Sequence, residues 1–292
     1  MAQQATALWT IESMLAWAVD DFRARGIESP RLDAELLLSK ALGATRIQLI
    51  VDAKRPLASD ELARMRELVK RRRNREPVAY ILGEREFYGR TFRVDARVLV
   101  PRPDTETLVD VALARTRRVA LSMRALDLCT GSGCVGVTLA RERPTSRVFA
   151  TDVSVDALAV ARHNALRLGA YNVAFRQGDL YAPLEPDRRF DVVVSNPPYI
   201  AAGELPSLMP EVRDHEPRLA LEGGPDGLAI LRRVIAGAGA HLVPGGVLAV
   251  EVGAGEARDV AASFEAGGFE AIEVQRDHGR IERVVSGMLK AP

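Results

Sequence analysis

In the first quarter of the chain, apolar residues recur every three or four positions, which is the spacing of a helix with one buried face. The first such series comprises Leu8, Ile11, Leu15, Val19 and Phe22. With Thr10 as a cap and Gly26 as a stop, this series predicts a helix over residues 10–25. Because three similar series follow, we expect a small all-helical N-terminal domain at residues 1–76.

The pattern changes at residue 77, where proline ends the helical spacing. Two short runs, residues 86–88 and 91–94, flank Gly89 and predict a β-hairpin. The prolines that follow hold the chain extended, because the residue before each proline disfavours the helical region. We therefore expect a connector at residues 77–103 rather than a third domain.

From Arg124 onward, short apolar runs alternate with helical patterns, which predicts a parallel sheet covered by helices. The candidate strands are residues 125–128, 147–151, 173–177, 190–195 and 247–252, with 269–275 and 283–289 as two closing strands. The candidate helices are residues 133–143, 155–168, 227–242 and 255–266. The predicted fold class is α/β, with a doubly wound, mostly parallel seven-stranded sheet in a domain at residues 104–292.

Composition and charge are those of an ordinary globular protein: the 292 residues are 47% hydrophobic and 27% charged, with a net charge of +1. This charge gives no overall signature of nucleic-acid binding, and no apolar run reaches transmembrane length. The first ten residues lack a basic segment followed by an apolar core. We therefore expect a cytoplasmic protein that binds neither DNA nor membranes, with a monomer as the default.

Three local features leave alternatives open or carry little signal. The basic run at residues 70–75 is either a solvated helix end, which the macrodipole favours, or a patch that faces RNA or an acidic partner. Residues 200–226 form a long segment rich in proline and glycine, typical of a binding loop or a lid. Cys129 and Cys134 lack the spacing of zinc ligands, so we predict no metal site.

The candidate chemistry begins at a glycine-containing turn, residues 127–133, between the first strand and the helix that follows. Glycine lets the backbone turn tightly and lets a ligand approach closely, and the turn has neither the dinucleotide fingerprint nor a phosphate loop. Asp152 ends the second strand, where a carboxylate accepts hydrogen bonds from two ribose hydroxyls. Asp179 follows the third strand, near the expected position of an adenine. The pattern indicates a nucleoside pocket without phosphate binding.

The next strand is followed by Asn196, Pro197, Pro198 and Tyr199. Consecutive prolines stiffen the chain and lack N–H groups, so the Asn196 side-chain oxygen and the Pro197 carbonyl form a stiff pair of acceptors. Such a pair suits a planar NH2 group, which offers two hydrogens, and Tyr199 can stack on that group. This segment predicts alkylation of an amide or of an exocyclic amine.

These motifs, each at the carboxyl end of a strand, resemble the class I S-adenosylmethionine-dependent methyltransferases with their Rossmann-like fold. A closer resemblance covers nearly the whole chain: it is similar to the N5-glutamine methyltransferases of peptide chain release factors. The matching motifs lie at residues 76–83, 86–89, 98–106, 196–200, 215–217 and 276–279. The resemblance implies methyl transfer from S-adenosylmethionine to the glutamine of the Gly-Gly-Gln motif in class 1 release factors, which are the expected protein partners.

The resemblance also implies roles for individual residues. The cofactor contacts would come from Asp127, Cys129, Thr130, Gly131, Ser132, Gly133, Asp152, Asp179, Leu180 and Asn196. Asn196, Pro197 and Tyr199 would be catalytic, and the substrate pocket would comprise Arg102, Asn196, Pro197, Pro198 and Tyr199. The N-terminal helices and the hairpin would bind the release factor and cover its glutamine.

One departure from the family pattern bears on the substrate. Cys129 stands where the family usually has glycine, and the same variant is similar to the sister branch that methylates ribosomal protein L3. Residues 102–106 and 277–283 resemble the release-factor branch, which we favour because this match is longer. The other readings are amino-methylation of adenine or cytosine in nucleic acid, and a binding module without catalysis. The near-neutral charge disfavours the former and the intact Asn196 disfavours the latter.

Overall fold

The computed structural model describes residues 8–119 and 122–291. The expectation of no export signal concerns the first ten residues, of which residues 1–7 lie outside this range. The helices are α1 (Ile11–Ala24), α2 (Pro30–Leu42), α3 (Arg46–Val51), α4 (Ser59–Arg73), α5 (Val78–Leu82), α6 (Glu106–Arg115), α7 (Cys134–Glu142), α8 (Val155–Arg167), α9 (Pro210–His215), α10 (Ala229–Ala238) and α11 (Ala257–Ala266). In the described ranges, no helix is long and apolar enough to cross a membrane.

The strands are β1 (Glu84–Phe87), β2 (Arg90–Arg93), β3 (Arg124–Leu128), β4 (Arg147–Asp152), β5 (Val173–Gln177), β6 (Phe190–Ser195), β7 (Ile200–Ala201), β8 (Glu222–Gly224), β9 (Leu242–Glu251), β10 (Phe269–Arg276) and β11 (Glu282–Leu289). The chain divides into two compact units. The first unit comprises the residues up to Gly83 together with α9, and the second comprises residues 84–209 and those from Glu216 onward.

The first unit is helical, as expected, and has its own apolar core. Thr10 caps α1 as predicted, because its hydroxyl accepts a hydrogen bond from the Ser13 amide. The buried face of α1 differs from the predicted one. It comprises Ile11, Met14, Ala18 and Phe22. Leu8 is exposed because it precedes the cap and so lies outside the helix.

A buried ionic cluster in the first unit is built around Arg72, which is only 4% exposed. Its Nε donates to Asp33 at 2.7 Å, and its Nη2 donates to Glu211 of α9 at 2.8 Å. Arg75 donates to the other oxygen of Glu211 at 2.7 Å. Burial raises the pKa of Asp33, although the hydrogen bond from Arg72 opposes the rise. Arg72 therefore stabilises two buried carboxylates at once.

The arginines of the basic run at residues 70–75 are engaged in ion pairs, which neither of the two sequence-based interpretations of this run anticipated. Arg71 forms a paired contact with Glu76, and Arg73 donates to both oxygens of Asp21 while it lies over the Trp17 ring. Together with the buried cluster, these contacts engage all four arginines of the run, Arg71, Arg72, Arg73 and Arg75, with carboxylates of the same unit. These four arginines therefore do not form a free patch for RNA or an acidic partner, because each is paired with a carboxylate: Arg71 with nearby Glu76, and the other three with carboxylates distant in sequence.

The second unit contains the predicted doubly wound, mostly parallel seven-stranded sheet, so the α/β fold class is confirmed. Its strand order is β10-β11-β9-β6-β3-β4-β5. Strands β9, β6, β3, β4 and β5 are parallel, and β11 pairs antiparallel with both β9 and β10. Alternating residues of the central strands enter two apolar clusters, one with α6 and α7 and the other with α10 and α11. Each cluster thus fills one face of the sheet.

The hairpin in the second unit forms slightly earlier in the chain than predicted. Glu84 pairs with Arg93 and Phe87 with Arg90, so the turn consists of Tyr88 and Gly89. Both turn residues have positive φ angles, 52° and 67°. This pair of angles matches the twist of a two-residue hairpin, and it explains why the turn lies at 88–89 rather than at 89–90.

The long segment after the Asn-Pro-Pro-Tyr sequence is ordered rather than irregular. Its two ends in the second unit pair as the short parallel strands β7 and β8. A Cβ at Gly223 would lie 2.7 Å from the Pro198 carbonyl oxygen, and one at Gly227 would lie 2.5 Å from that of Tyr199. These glycines let the β8 region pack directly against the backbone of the Asn-Pro-Pro-Tyr turn.

Candidate functional site

A pocket of about 340 Å³ lies in the second unit, at the carboxyl ends of β3, β4 and β6. It is within the size range of pockets for small ligands. The predicted site residues that line it are Arg102, Asp127, Cys129, Thr130, Gly131, Ser132, Asp152, Asp179, Leu180, Asn196 and Pro198. Gly133, Pro197 and Tyr199 do not line it. The structure therefore brings most of the predicted residues to one place.

Asp127 stabilises the glycine-containing turn through hydrogen bonds. Its Oδ2 accepts hydrogen bonds from the Thr130 hydroxyl at 2.6 Å and from the Gly136 amide at 2.9 Å. Burial raises the pKa of Asp127 to about 7, although these two hydrogen bonds oppose the rise. A Cβ at Gly136 would lie 2.8 Å from the same oxygen. The Asp127 carboxylate is thus used to fix the start of α7, while the residue still borders the pocket.

Cys129 occupies a backbone position that favours glycine. Its φ is 58°, and Gly131 and Gly133 have φ angles of 54° and 81°. For a residue with a Cβ, this left-handed conformation costs roughly 1–2 kcal/mol, whereas glycine adopts it without that cost. Burial raises the pKa of the Cys129 thiol to about 12. The thiol is therefore neutral at pH 7, and it acts as a small lining group rather than as a nucleophile.

Asp152 links the end of β4 to the glycine-containing turn. Its Oδ2 accepts a hydrogen bond from the Gly131 amide and its Oδ1 accepts one from the Ser154 amide, both at 2.9 Å. Burial raises the pKa of Asp152, and these backbone hydrogen bonds oppose the rise. A carboxylate has about four acceptor positions, so both oxygens can accept further hydrogen bonds from a ligand in the pocket.

Asp179 and Leu180 border the same pocket after β5. The Asp179 carboxylate accepts a hydrogen bond from Arg233 at 2.6 Å, and both side chains are half exposed. Leu180 is buried with a φ of 50°, and its carbonyl accepts a hydrogen bond from the Thr151 hydroxyl at 3.0 Å. Arg233, which the sequence did not single out, is therefore part of the wall beside Asp179.

Asn196 lies directly after β6 and borders the pocket. Its Nδ2 donates a hydrogen bond to the Thr105 hydroxyl at 3.2 Å. This contact uses a donor of the amide group and leaves its Oδ1 available as an acceptor. Pro198 also lines the pocket. The arrangement presents an acceptor at the end of a buried strand, beside the cradle of the glycine-containing turn.

Tyr199 is placed differently from the expectation that it stacks on a planar group in the pocket. Its ring packs against the apolar cluster of the α10 and α11 face. Its hydroxyl donates a hydrogen bond to Glu251 at 3.2 Å. Burial, followed by the charge of Glu251, raises the pKa of Tyr199. Tyr199 therefore anchors the turn in the core, because its ring is directed away from the lining of the pocket.

The sequence missed residues whose importance depends on distant partners. Thr105 meets Asn196 only in the folded chain, and Glu251 meets Tyr199. Arg102 lines the pocket as predicted, and it also donates to Glu216 at 2.6 Å. Burial raises the pKa of Glu216, and Arg102 opposes the rise. Glu216 belongs to the motif at residues 215–217, which the sequence analysis identified. The motif did not indicate that Glu216 pairs with Arg102.

Comparisons with known proteins agree with this geometry. Residues 13–83 match the model of the PrmC N-terminal domain, and residues 105–210 match that of the methyltransferase small domain. The chain is 45% identical over 282 residues to the release factor glutamine methyltransferase of Geobacter sulfurreducens, with 97% of this chain and 98% of that protein covered. The protein of the same name from Caulobacter vibrioides is 41% identical over 283 residues, with coverages of 96% and 97%.

A solved methyltransferase structure from Pyrococcus furiosus superposes with a TM-score of 0.52 at 20% identity, and it covers 70% of this chain and 91% of that one. At this level of identity the likeness shows a shared fold. The extensive identity to the relatives goes further, because it covers both units of the chain.

Proposed function

The chain belongs to the release factor glutamine methyltransferase family, and from this premise we propose that it methylates the side-chain amide N5 of the glutamine in the Gly-Gly-Gln motif of class 1 release factors. The methyl donor is S-adenosylmethionine, as in the sequence-based expectation. The observation that carries the proposal is the position of Asn196, whose amide is anchored through its donor while its acceptor stays available beside the pocket.

The described residues fit this cofactor. S-adenosylmethionine supplies an electrophilic methyl group on its sulfonium. Asp152 has free acceptor positions for two ribose hydroxyls, and the turn from Cys129 to Gly133 offers a close backbone approach for the methionine part. Asp179 and Leu180 border the place for the adenine. The proposed contacts of the cofactor are a carboxylate and a turn of the backbone. Phosphate-binding groups are not needed, because the nucleoside of S-adenosylmethionine carries no phosphate.

Asn196 and the Pro197 carbonyl are the proposed contacts of the substrate amide. An amide nitrogen is a weak nucleophile because its lone pair is conjugated with its carbonyl. Two fixed acceptors orient the NH2 group and stabilise the positive charge that develops on nitrogen during the transfer. Asn196 lines the pocket whereas Pro197 does not, so of the two proposed acceptors only the Asn196 oxygen belongs to a residue that borders it. The proton can leave to water afterwards.

Replacing Asp152 with alanine should weaken cofactor binding about 10- to 100-fold, because hydrogen bonds to a charged acceptor are worth roughly 1.5–3 kcal/mol each. Calorimetric titration with S-adenosylmethionine measures the effect. Asp156→Ala is the control, since it removes an exposed carboxylate from the same β4–α8 region without touching the pocket lining. An affinity equal to that of the unmodified chain would remove Asp152 from the ribose role.

We propose that the first unit, together with the hairpin β1–β2, binds the release factor. The match of residues 13–83 to a domain model of its own supports this division of labour. Amide hydrogen exchange, measured with and without a release factor, tests this proposal. If the first unit binds the release factor, the backbone amides of α1 to α5 should exchange more slowly in its presence. The expectations of a cytoplasmic monomer that binds neither DNA nor membranes stay predictions.

The substrate is tested by incubating the full chain with labelled S-adenosylmethionine and, in separate reactions, a class 1 release factor, ribosomal protein L3 and DNA. We expect label only in the release factor. A release factor whose motif glutamine is replaced should stay unlabelled, which ties the label to that one side chain. Label in L3 alone would assign the chain to the sister branch, and label in DNA would overturn the protein substrate.

A further inference from the structure

Glu251 is a buried carboxylate that the proposed mechanism does not use. It is the last residue of β9 and is 1% exposed. Its Oε1 accepts a hydrogen bond from the Tyr199 hydroxyl at 3.2 Å. Its Oε2 is buried without a hydrogen bond of standard geometry among the described residues. Because burying a charged oxygen is costly unless it is compensated, its position next to the Asn-Pro-Pro-Tyr turn needs an explanation.

Thr105 connects this carboxylate to Asn196. Its side chain is 2% exposed, and its hydroxyl accepts the hydrogen bond from Asn196 Nδ2. The Thr105 side chain also interacts with the Glu251 carboxyl, whose pKa it lowers. A hydroxyl has a single hydrogen. Since its oxygen accepts from Asn196, its hydrogen is free to point toward Glu251.

We propose that Glu251 is a positioning residue, which through Thr105 fixes the orientation of the Asn196 amide so that Oδ1 faces the substrate. The proposal deepens the proposed function and rests on it. An ionised carboxylate can only accept hydrogen bonds, so it draws the Thr105 hydrogen toward itself. Thr105 must then accept from Asn196, which places Nδ2 at Thr105 and leaves Oδ1 for the substrate.

The orientation matters because the two ends of an asparagine amide have nearly the same shape but opposite hydrogen-bonding roles. A flip by 180° would direct Nδ2 toward the substrate. The NH2 group of Asn196 would then oppose the NH2 group of the glutamine, and neither would accept. Nothing in the shape of Asn196 prevents the flip, so the direction of the hydrogen bonds has to prevent it.

The charge state of Glu251 is set by groups on several elements. Burial raises its pKa to about 7, while Thr105, Arg283 and Tyr199 oppose the rise and Asp104 adds to it. Cys134 of α7 also lies within electrostatic range. Above this pKa, Glu251 is an acceptor only. Below it, the carboxyl carries a hydrogen that it can donate to Thr105, which would then donate to Asn196 and favour the flipped amide.

The decisive variant is Glu251→Gln, which keeps the shape of the side chain but can donate from its NH2 group to Thr105. We expect kcat to fall on the order of 100-fold, the size of the loss of one oriented transition-state donor or acceptor, while the cofactor Kd changes less than threefold. The kcat of the unmodified chain should fall about tenfold per pH unit below pH 7, and Glu251→Gln should lack this dependence. An unchanged kcat, or the same acid limb in the variant, overturns the proposal.

A pair of threonine variants separates the relay from simple packing. Thr105→Val removes the hydroxyl at nearly constant volume and should lower kcat as Glu251→Gln does, whereas Thr105→Ser should restore most of the turnover. Thr138→Val is the matched control, because Thr138 is equally buried and its hydroxyl has no partner among the described residues. Equal losses in Thr105→Val and Thr105→Ser would contradict the relay.

A measurement without substrate distinguishes failure of this inference from failure of the proposed function. The side-chain NH2 resonances of Asn196, assigned by their absence in Asn196→Asp, should shift with pH with a midpoint near 7, and Glu251→Gln should abolish the shift. Resonances that do not respond to pH in the unmodified chain would overturn the relay whatever the substrate is. If the chain labels no release factor, this titration still tests the relay.

Discussion

Replacing Asn196 with alanine should lower kcat on the release factor about 100- to 1,000-fold, the range seen when one preorganised hydrogen-bonding group of an active site is removed. The reason is the position of its amide, held by Thr105 through Nδ2 and with Oδ1 free beside the pocket. Alanine leaves the substrate nitrogen without one of its two oriented acceptors. Affinity for S-adenosylmethionine should weaken only slightly, because Asp152 and the glycine-containing turn remain.

Single-turnover methylation of the release factor and calorimetric titration of the cofactor measure the two effects separately. Asn172→Ala is the matched control, because Asn172 donates to the Ser146 carbonyl at 3.0 Å and neither residue lines the pocket. That variant should lose stability and keep its turnover. Asn196→Ala with near-normal turnover would remove Asn196 from the catalytic role, whereas equal losses in both variants would indicate a general effect of destabilisation.

Replacing Arg72 with alanine should destabilise the protein by about 3–5 kcal/mol, the range for breaking a buried ion pair by removing one partner. Arg72 separates two carboxylates, Asp33 and Glu211, that are 5% and 7% exposed. Without the guanidinium, both would stay buried near one another with like charges. Equilibrium unfolding in urea measures the change, and limited proteolysis should show earlier cleavage around α9.

Two further variants test whether the loss of stability comes from the two carboxylates that Arg72→Ala leaves buried without a cation. Arg73→Ala removes a partly exposed arginine from the same helix and should cost about 1 kcal/mol or less, as surface ion pairs do. The triple change of Arg72→Met, Asp33→Leu and Glu211→Leu should recover most of the stability, because apolar groups of similar size often replace a buried charged cluster without loss. An Arg72→Ala protein as stable as Arg73→Ala would show that the cluster contributes little.

The contacts of Glu211 help to explain why the segment at residues 200–226 is structured. Its middle part, α9, belongs to the first unit, and its ends form β7 and β8 in the second unit. The composition of this segment predicted a long irregular loop, because proline and glycine disfavour regular structure. Glu211 instead gives α9 a specific, charged partner in Arg72, which no local pattern of residues 200–226 indicates.

Much of the fold follows from short-range patterns. Strands β5 and β6 have the predicted bounds, and β4 and β10 each extend one residue further. Strand β6 was predictable because a buried parallel strand reads as a continuous apolar run. Boundaries shifted where a local conformation decided them, as at the hairpin turn of Tyr88 and Gly89. The helices α10 and α11 begin two residues later than predicted, because glycine and polar residues precede them.

The site shows the same division between local and distant information. Asp152 and Asn196 were identified because Asp152 ends one strand and Asn196 directly follows another, and parallel strands bring their carboxyl ends to one edge of the sheet. Tyr199 was placed in the pocket for its stacking capacity, whereas its hydroxyl bonds to Glu251 and its ring packs in the core. The difference arises because alternate residues of a turn can point in opposite directions, and only the packed core determines which does so.

By itself, the sequence determined the α/β sheet, the glycine-containing turn, the carboxylates at the strand ends and the family. Each of these features depends on residues that are close together along the chain. Only the tertiary structure decided the partners of the Asn-Pro-Pro-Tyr turn and of the basic run. Thr105 lies 91 residues from Asn196, Tyr199 lies 52 residues from Glu251, and Arg72 lies 139 residues from Glu211. Hydrogen-bond direction and charge pairing depend on distance in space, which no spacing along the chain specifies.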